Sequence, residues 1–217
     1  MNLPTRMSTD DVLSIVNAFV KAHSIKSILD LGCGDAHYHK YIQVETISGL
    51  DKIPNPYMCH DIEVFPYPIT KTYDMIMFLD VLEHTYSPYT ILSNVRQYVN
   101  PQGYVFISVP NIDCIDDLLS HINIAVYDPR LTTITEGRWC EGHIRFFNLP
   151  SLINLVQSCG YEIVLLTGAN WYASQFGRQV CENFSRRLNL PITDVIRVLG
   201  ETLIPYAPTL VTVAKVV

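Results

Sequence analysis

The chain of 217 residues carries 15 Lys and Arg against 21 Asp and Glu, a net charge of −6. The length suits one domain with a sizeable core, and the acidic balance argues against nucleic acid as a partner, because nucleic-acid binders present a basic face. None of the six cysteines sits in a C-x-x-C pair, which excludes the common zinc-knuckle and redox motifs and leaves reduced cytosolic thiols.

No apolar run reaches the length of a membrane span, and residues 1–6 show no signal-peptide pattern, so a cytoplasmic protein without a transmembrane segment is expected. Ser8-Thr9-Asp10-Asp11 is a capping-box-like start. Val12, Leu13, Ile15, Val16, Phe19 and Val20 follow on one helical face, so residues 1–24 are expected to hold an N-terminal helix packed on a sheet.

Residues 25–31 read as the first strand. Ile28-Leu29-Asp30-Leu31 is apolar up to an acid, then Gly32-Cys33-Gly34-Asp35 breaks into two glycines. That is a buried strand ending in a tight turn that lets a ligand approach the main chain. In open α/β sheets such a turn binds nucleotide-like ligands. The dinucleotide fingerprint G-x-G-x-x-G fails here, because its third glycine is replaced by His37. S-adenosylmethionine fits better: it lacks phosphate, Asp30 suits its cationic end, and the glycine turn suits its amino-acid backbone. The segment resembles motif I of class I S-adenosylmethionine-dependent methyltransferases, roughly D-L-G-C-G-x-G. Asp35 and Ala36 stand where the last glycine would fall.

Residues 36–43, with Tyr38 and Tyr41, are expected to form the first crossover helix. Ile47-Ser48-Gly49-Leu50-Asp51 reads as strand two. Asp51 lies 21 positions after Asp30, near where doubly wound folds place the acid that grips ribose hydroxyls; a turn acid before Pro54 is the other reading. Residues 57–62 read as strand three, and the resemblance places Asp61 against the adenine amino group. Residues 73–80 are an apolar fourth strand, followed by Val81-Leu82-Glu83-His84. By resemblance, the F-L-D-V-L-E-H segment lines the methionine and methyl end of the cofactor. The resemblance thus implies cofactor contacts at Asp30, Gly32, Cys33, Gly34, Asp51, Lys52, Asp61, Ile62, Leu79 and Asp80.

A helix is expected over 88–99, a turn at Pro101-Gln102-Gly103, and strand five over 104–111, ending S-V-P-N. Residues 112–142, with Tyr127 and Trp139, read as an insertion over the cleft and a candidate substrate lid. Gly142-His143-Ile144-Arg145-Phe146-Phe147 resembles the H-x-R-F-F segment of the branch that includes ubiquinone-pathway O-methyltransferases. A helix over 150–159 is closed by Gly160, strand six covers 161–166, and a second insertion covers 168–206 with helices at 177–188 and 192–203. Strand seven follows at 208–215. The expectation is a single α/β domain over 1–217. It has a Rossmann-like seven-stranded sheet, mostly parallel, with helices on both faces and helical insertions after strands five and six. By resemblance, strand seven runs antiparallel between five and six.

Two histidines suit proton removal from a hydroxyl acceptor, because their unperturbed pKa is near neutrality. These are His143, the catalytic candidate, and His84. Asp80, Glu83 and His84 stand at i, i+3 and i+4 and would share one face of a helical turn. With His143 they would give two carboxylates and two imidazoles, a divalent-metal set. The spacing is similar to the E-x-x-E-H motif of ubiquinone-pathway O-methyltransferases and small-RNA 2′-O-methyltransferases, with Asp80 in place of the first Glu. The expected activity is methyl transfer from S-adenosylmethionine to a small-molecule acceptor, a sugar or natural-product hydroxyl. The alternatives are a catalytically silent cofactor-binding fold, an RNA 2′-O-methyltransferase and a nicotinamide-dependent oxidoreductase.

Overall fold

The computed structural model describes residues 7–114, 142–172 and 175–216. Most of the first insertion, including Tyr127 and Trp139, lies outside them. The strands are β1 (Ser27–Leu31), β2 (Thr46–Asp51), β3 (Met58–Cys59), β4 (Tyr73–Leu79), β5 (Val99–Pro110), β6 (Tyr161–Ala169) and β7 (Thr209–Val216). They form one sheet in the order β3-β2-β1-β4-β5-β7-β6. The pairs from β3 through β5 are parallel, and β7 runs antiparallel to both β5 and β6. This is the Rossmann-like arrangement expected, with β7 inserted between β5 and β6.

Alternation along the strands builds two cores. Leu29, Leu31, Ile76, Phe78, Val105 and Ile107 pack on one face with α2 (Pro88–Val95) and α3 (Leu149–Ser158). Ile28, Met75, Met77, Phe106 and Val213 pack on the other with α1 (Met7–Ala22). Both faces being covered explains why β1 and β4 read as nearly continuous apolar runs. The α3 helix starts on a capping box between Asn148 and Ser151, and Gly160 closes it at φ 77°. Two further helices, α4 (Gln175–Leu188) and α5 (Ile192–Thr202), lie between β6 and β7. A third, smaller cluster of Trp171, Tyr172, Cys181, Val195 and Leu199 holds them.

Several expectations shift. Strand three shortens to Met58–Cys59, and β6 runs on to Ala169. The helix expected over 88–99 ends as α-helix at Val95 and finishes in a 3₁₀ turn, Arg96–Tyr98. The crossover helix expected over 36–43 does not form; that stretch holds only a 3₁₀ turn, His39–Tyr41. Ala36 sits at φ 59°, which a right-handed helix cannot include. Asn17 of α1 then clamps the chain, donating to Tyr41 O and accepting from Gln43 N.

Asp74, at the start of β4, joins three strands. Its carboxylate accepts from the backbone of Lys26 and Ser27, from Ser27 Oγ and from Asn100 Nδ2. Burial tends to raise its pKa, but the hydrogen bonds from Asn100, Lys26 and Ser27 outweigh it and hold the carboxyl below its ordinary 3.8. A lowered folded-state pKa stabilises the fold at higher pH, and that stabilisation is lost as pH falls through the lowered value. Asp74→Ala is therefore expected to lower the melting temperature by roughly 5 °C at neutral pH. The gap to wild type should close in acid below the ordinary carboxyl pKa of 3.8; thermal melts across pH check both.

Candidate active site

A crevice of about 410 Å³ opens at the carboxyl ends of β1, β2 and β4, where open α/β sheets take their ligands. Among the described residues it is lined by Gly32, Asp51, Lys52, Asp61, Ile62 and Asp80, all singled out from the sequence, and also by Glu63, Val81, His84, Thr85 and Gly142.

The glycine turn is built for close approach. Gly32 takes φ 81° and its N–H donates to Leu50 O at 2.8 Å. A Cβ there would lie 2.6 Å from Val81 Cγ2. Gly34 takes φ 56°, and a Cβ there would meet nothing within 4 Å. The two glycines therefore serve differently: the first lets β1 pass Val81, the second borders open space. Gly32→Ala is expected to destabilise the protein by about 3 kcal/mol, from backbone strain plus overpacking, and Gly34→Ala by about 1 kcal/mol, from strain alone. Urea denaturation midpoints check the contrast.

Asp51 is oriented by the turn it faces. Its Oδ2 accepts from Gly34 N at 2.8 Å and its Oδ1 from Ile53 N at 3.0 Å. A carboxylate has lone pairs left after two such bonds, so both oxygens can still accept from ligand hydroxyls. Asp61 Oδ1 accepts from Glu63 N, and Glu63 Oε1 accepts from Tyr86 N at 2.6 Å.

Asp80 closes β4 at φ 54°. Its N–H reaches Ser108 O and Oγ, and Ser108 Oγ donates back to its Oδ1 at 2.9 Å. That left-handed residue takes Asp80 off the helical turn, which covers only Leu82–His84. Asp80, Glu83 and His84 therefore do not share the helical face expected from their spacing. Among the described residues, Glu83, His84 and His143 are the ones that each bring a possible ligand atom within 4.8 Å of the others.

Four expected cofactor residues stand behind the crevice lining. Asp30 is fully buried. Cys33 is buried beneath the turn, and burial, with Asp30 and Asp51 nearby, pushes its thiol up to about 12. Gly34 contributes through Asp51, and Leu79 packs into the α1-side core.

The backbone brings the two histidines together across 58 residues. Glu83 O accepts from both Ile144 N and Arg145 N at 2.9 Å. Arg145 Nη2 donates to Tyr86 O, and Ile112 N donates to Phe147 O. His84 Nδ1 lies 3.1 Å from Gly142 O. A carbonyl only accepts, so Nδ1 carries the proton and, in the neutral ring, Nε2 keeps its lone pair. The His84 and His143 rings meet at 4.7 Å, tilted by 60°.

Glu83 is 1% exposed, and neither carboxylate oxygen has a hydrogen-bond partner among the described residues. Burial, with Asp80 adding like-charge repulsion, pushes its carboxyl up to about 8. An unpartnered buried carboxyl beside two imidazoles fits a hard or borderline divalent cation, and the fixed Nδ1–H of His84 is the kind of outer contact that orients a ligating ring. Glu63, Thr85 and Gly142 carried no signal in the sequence beyond their nearness to motif residues.

Sheet order, glycine turn and crevice together define the Rossmann-like fold shared by class I methyltransferases. A family model described as "Methyltransferase domain" matches residues 8–166, and the chain belongs to that family, within the class I S-adenosylmethionine-dependent methyltransferases. Curated relatives include the ubiquinone biosynthesis O-methyltransferase of Vibrio atlanticus, 23% identical over 67% of this chain and 67% of its own. The Vibrio parahaemolyticus counterpart is 23% identical over 73% of this chain and 75% of its own. Among solved structures, the plantazolicin methyltransferase BpumL in complex with SAH is similar at TM-score 0.58, with 16% identity, covering 95% of this chain and 83% of that one. The cyclase SpnF is similar at TM-score 0.60, with 12% identity, over 99% of this chain and 84% of that one. Among the described residues, no helix is long and apolar enough to cross a membrane.

Proposed function

We propose that the protein methylates an oxygen of a small-molecule acceptor, a sugar or natural-product hydroxyl, with His84 as the general base. The observation that carries this reading is the 3.1 Å contact between His84 Nδ1 and Gly142 O. His84 lines the crevice with Nδ1–H committed to Gly142 O, which leaves Nε2 to receive a proton. S-adenosylmethionine, when bound, supplies a methyl group on a cationic sulfur. The chain's own residues bind and orient: Asp51 accepts from ribose hydroxyls, Asp61 faces the adenine amino group, and the glycine turn and Asp80 border the amino-acid end. His84 Nε2 would take the hydroxyl proton as the acceptor oxygen bonds to the methyl carbon and the carbon–sulfur bond breaks, its electron pair leaving with neutral S-adenosylhomocysteine, and His143 packs on the His84 ring. Both distant relatives are named O-methyltransferases, which supports oxygen as the acceptor atom.

A second reading adds a divalent cation held by Glu83, His84 and His143. It is favoured by the two unpartnered oxygens of the buried Glu83. The ion would lower the pKa of an acceptor hydroxyl. An RNA acceptor is disfavoured by the net charge of −6 and by an acid-rich crevice lining. The fold alone does not guarantee methyl transfer, since a cyclase shares it. The test is calorimetric titration with S-adenosylmethionine, S-adenosylhomocysteine and NAD, each with and without magnesium, followed by an acceptor screen reading S-adenosylhomocysteine release. Micromolar binding of S-adenosylhomocysteine with turnover on hydroxyl acceptors supports the proposal. Binding without turnover on any acceptor leaves the silent fold, and NAD binding alone removes the methyltransferase reading.

A further inference from the structure

The stretch after the glycine turn lacks the helix that stiffens such turns in doubly wound folds. Gly32, Gly34 and Ala36 all take positive φ, and only a 3₁₀ turn separates them from β2. In place of a helix stands a chain of side-chain hydrogen bonds, buried between Asp30 and His39 and part-buried at its two ends. Asp30 Oδ2 accepts from Tyr38 Oη at 2.5 Å and from His39 Nε2 at 2.7 Å. The other nitrogen of the ring, His39 Nδ1, lies 3.1 Å from Tyr57 Oη. Asp30 is fully buried and His39 is 6% exposed. With Nε2–H donating to Asp30, Nδ1 of the neutral ring accepts from the Tyr57 hydroxyl, so every donor finds an acceptor.

The network lies behind the crevice and links the two segments that supply Gly32 and Asp51–Lys52 to its lining. Asp30 and Tyr38 flank the glycine turn, and Tyr57 closes the loop that begins at Asp51 and Lys52. Tyr57 also packs over β2, since a Cβ on Gly49 would lie 2.9 Å from its ring. Burial raises the Asp30 carboxyl, while the His39 and Tyr38 hydrogen bonds lower it in part. An Asp this deeply buried needs its partners, so the loss of one donor is expected to move the turn rather than leave it in place.

We propose that His39 is a positioning residue which, bonded to Asp30 on one side and Tyr57 on the other, holds the glycine turn and the Asp51–Lys52 loop at the separation the cofactor needs. The inference rests on the cofactor reading above for its functional meaning and on hydrogen exchange for its structural meaning, so each can fail separately.

The experiment compares wild type with His39→Leu, His39→Gln and Tyr57→Phe. Calorimetry with S-adenosylhomocysteine reads binding, and amide hydrogen exchange of the ligand-free protein reads residues 31–38 and 51–58. His39→Leu fills the space but cannot donate, and is expected to weaken binding by about 30-fold and speed exchange in both segments. His39→Gln keeps a donor toward Asp30 and is expected to restore binding to within about 3-fold of wild type. Tyr57→Phe breaks only the outer bond and is expected to cost about 3-fold, with faster exchange confined to 51–58. If His39→Leu binds and exchanges like wild type, or if His39→Gln fails as badly as His39→Leu, the positioning role is wrong. If wild type does not bind S-adenosylhomocysteine, the cofactor reading falls and the functional part of the inference with it. The exchange contrast then still decides whether the network holds the two segments.

Discussion

Asp51→Ala is expected to bind S-adenosylhomocysteine at least about 100-fold more weakly than wild type. Two effects add. The ribose loses a charged acceptor for its two hydroxyls, each such bond contributing on the order of 1.5–3 kcal/mol. The Gly34 N–H, 2.8 Å from Asp51 Oδ2, also loses its partner, so the turn is freed at the point where the ligand must approach. Asp51→Asn separates the effects. It can still accept from Gly34 N through its amide oxygen but carries no charge, and an intermediate loss of about 10-fold is expected. Calorimetry on the three proteins checks the order. Equal affinity of Asp51→Ala and wild type would remove Asp51 from the cofactor site and leave it as the turn acid before Pro54.

The second large effect concerns Glu83 and the histidines. His84→Ala is expected to reduce turnover by about 10²–10³-fold while leaving S-adenosylhomocysteine affinity nearly unchanged, because a general base acts on the acceptor and not on the cofactor. His143→Ala is expected to lose about 10-fold, since it supports the His84 ring through an edge contact. Glu83 has a separate signature in chelator-treated protein. Its folded-state carboxyl is raised from 4.5 to about 8, with burial the main cause. A raised folded value gives stability that is fully present below the unfolded pKa and lost as pH rises through the folded one. Wild type is thus expected to lose thermal stability across the window from 4.5 to about 8. Glu83→Gln, which cannot ionise, is expected to show little of that slope and to melt roughly 5 °C higher than wild type at the alkaline end. Adding magnesium or manganese is expected to raise the wild-type melting temperature and leave Glu83→Gln unmoved. If the wild type shows no metal-induced shift, the cation reading fails and His84 remains as base on its own.

Much of the fold could be read from local pattern. Apolar runs at 28–31 and 75–79 are buried on both faces, and a strand in that position has little choice of residue type. Glycines at 32 and 34 are required by φ, and at 32 by Val81 as well. Asp51 follows the first strand at a spacing set by the crossover, which left a turn acid as the other reading, and the structure places it in the crevice lining. The crossover itself was misread. Residues 36–43 suit a short helix by local preference, yet the buried Asp30 demanded two donors, and Tyr38 and His39 had to turn inward to supply them. Tertiary demand outweighed a weak local propensity.

The catalytic side was less legible for the same reason. The spacing of Asp80, Glu83 and His84 predicts a shared face only if the segment is helical throughout. The left-handed conformation of Asp80 is set by the bonds its N–H and carboxylate make to Ser108 on the neighbouring strand, which no local window contains.

The sequence by itself determined where β1 and β2 end and where the glycines must be, because these follow from backbone stereochemistry and burial over a few neighbouring residues, and the resemblance of the turn to motif I named the class of cofactor. The tertiary structure alone decided which polar groups meet. Glu83 lost its water when β4 and its following turn were covered, and His84 was joined to Gly142 across 58 residues of chain by hydrogen bonds that close only in the folded state. Burial and long-range pairing are properties of the packed molecule, and they set the charge of Glu83 and the free nitrogen of His84.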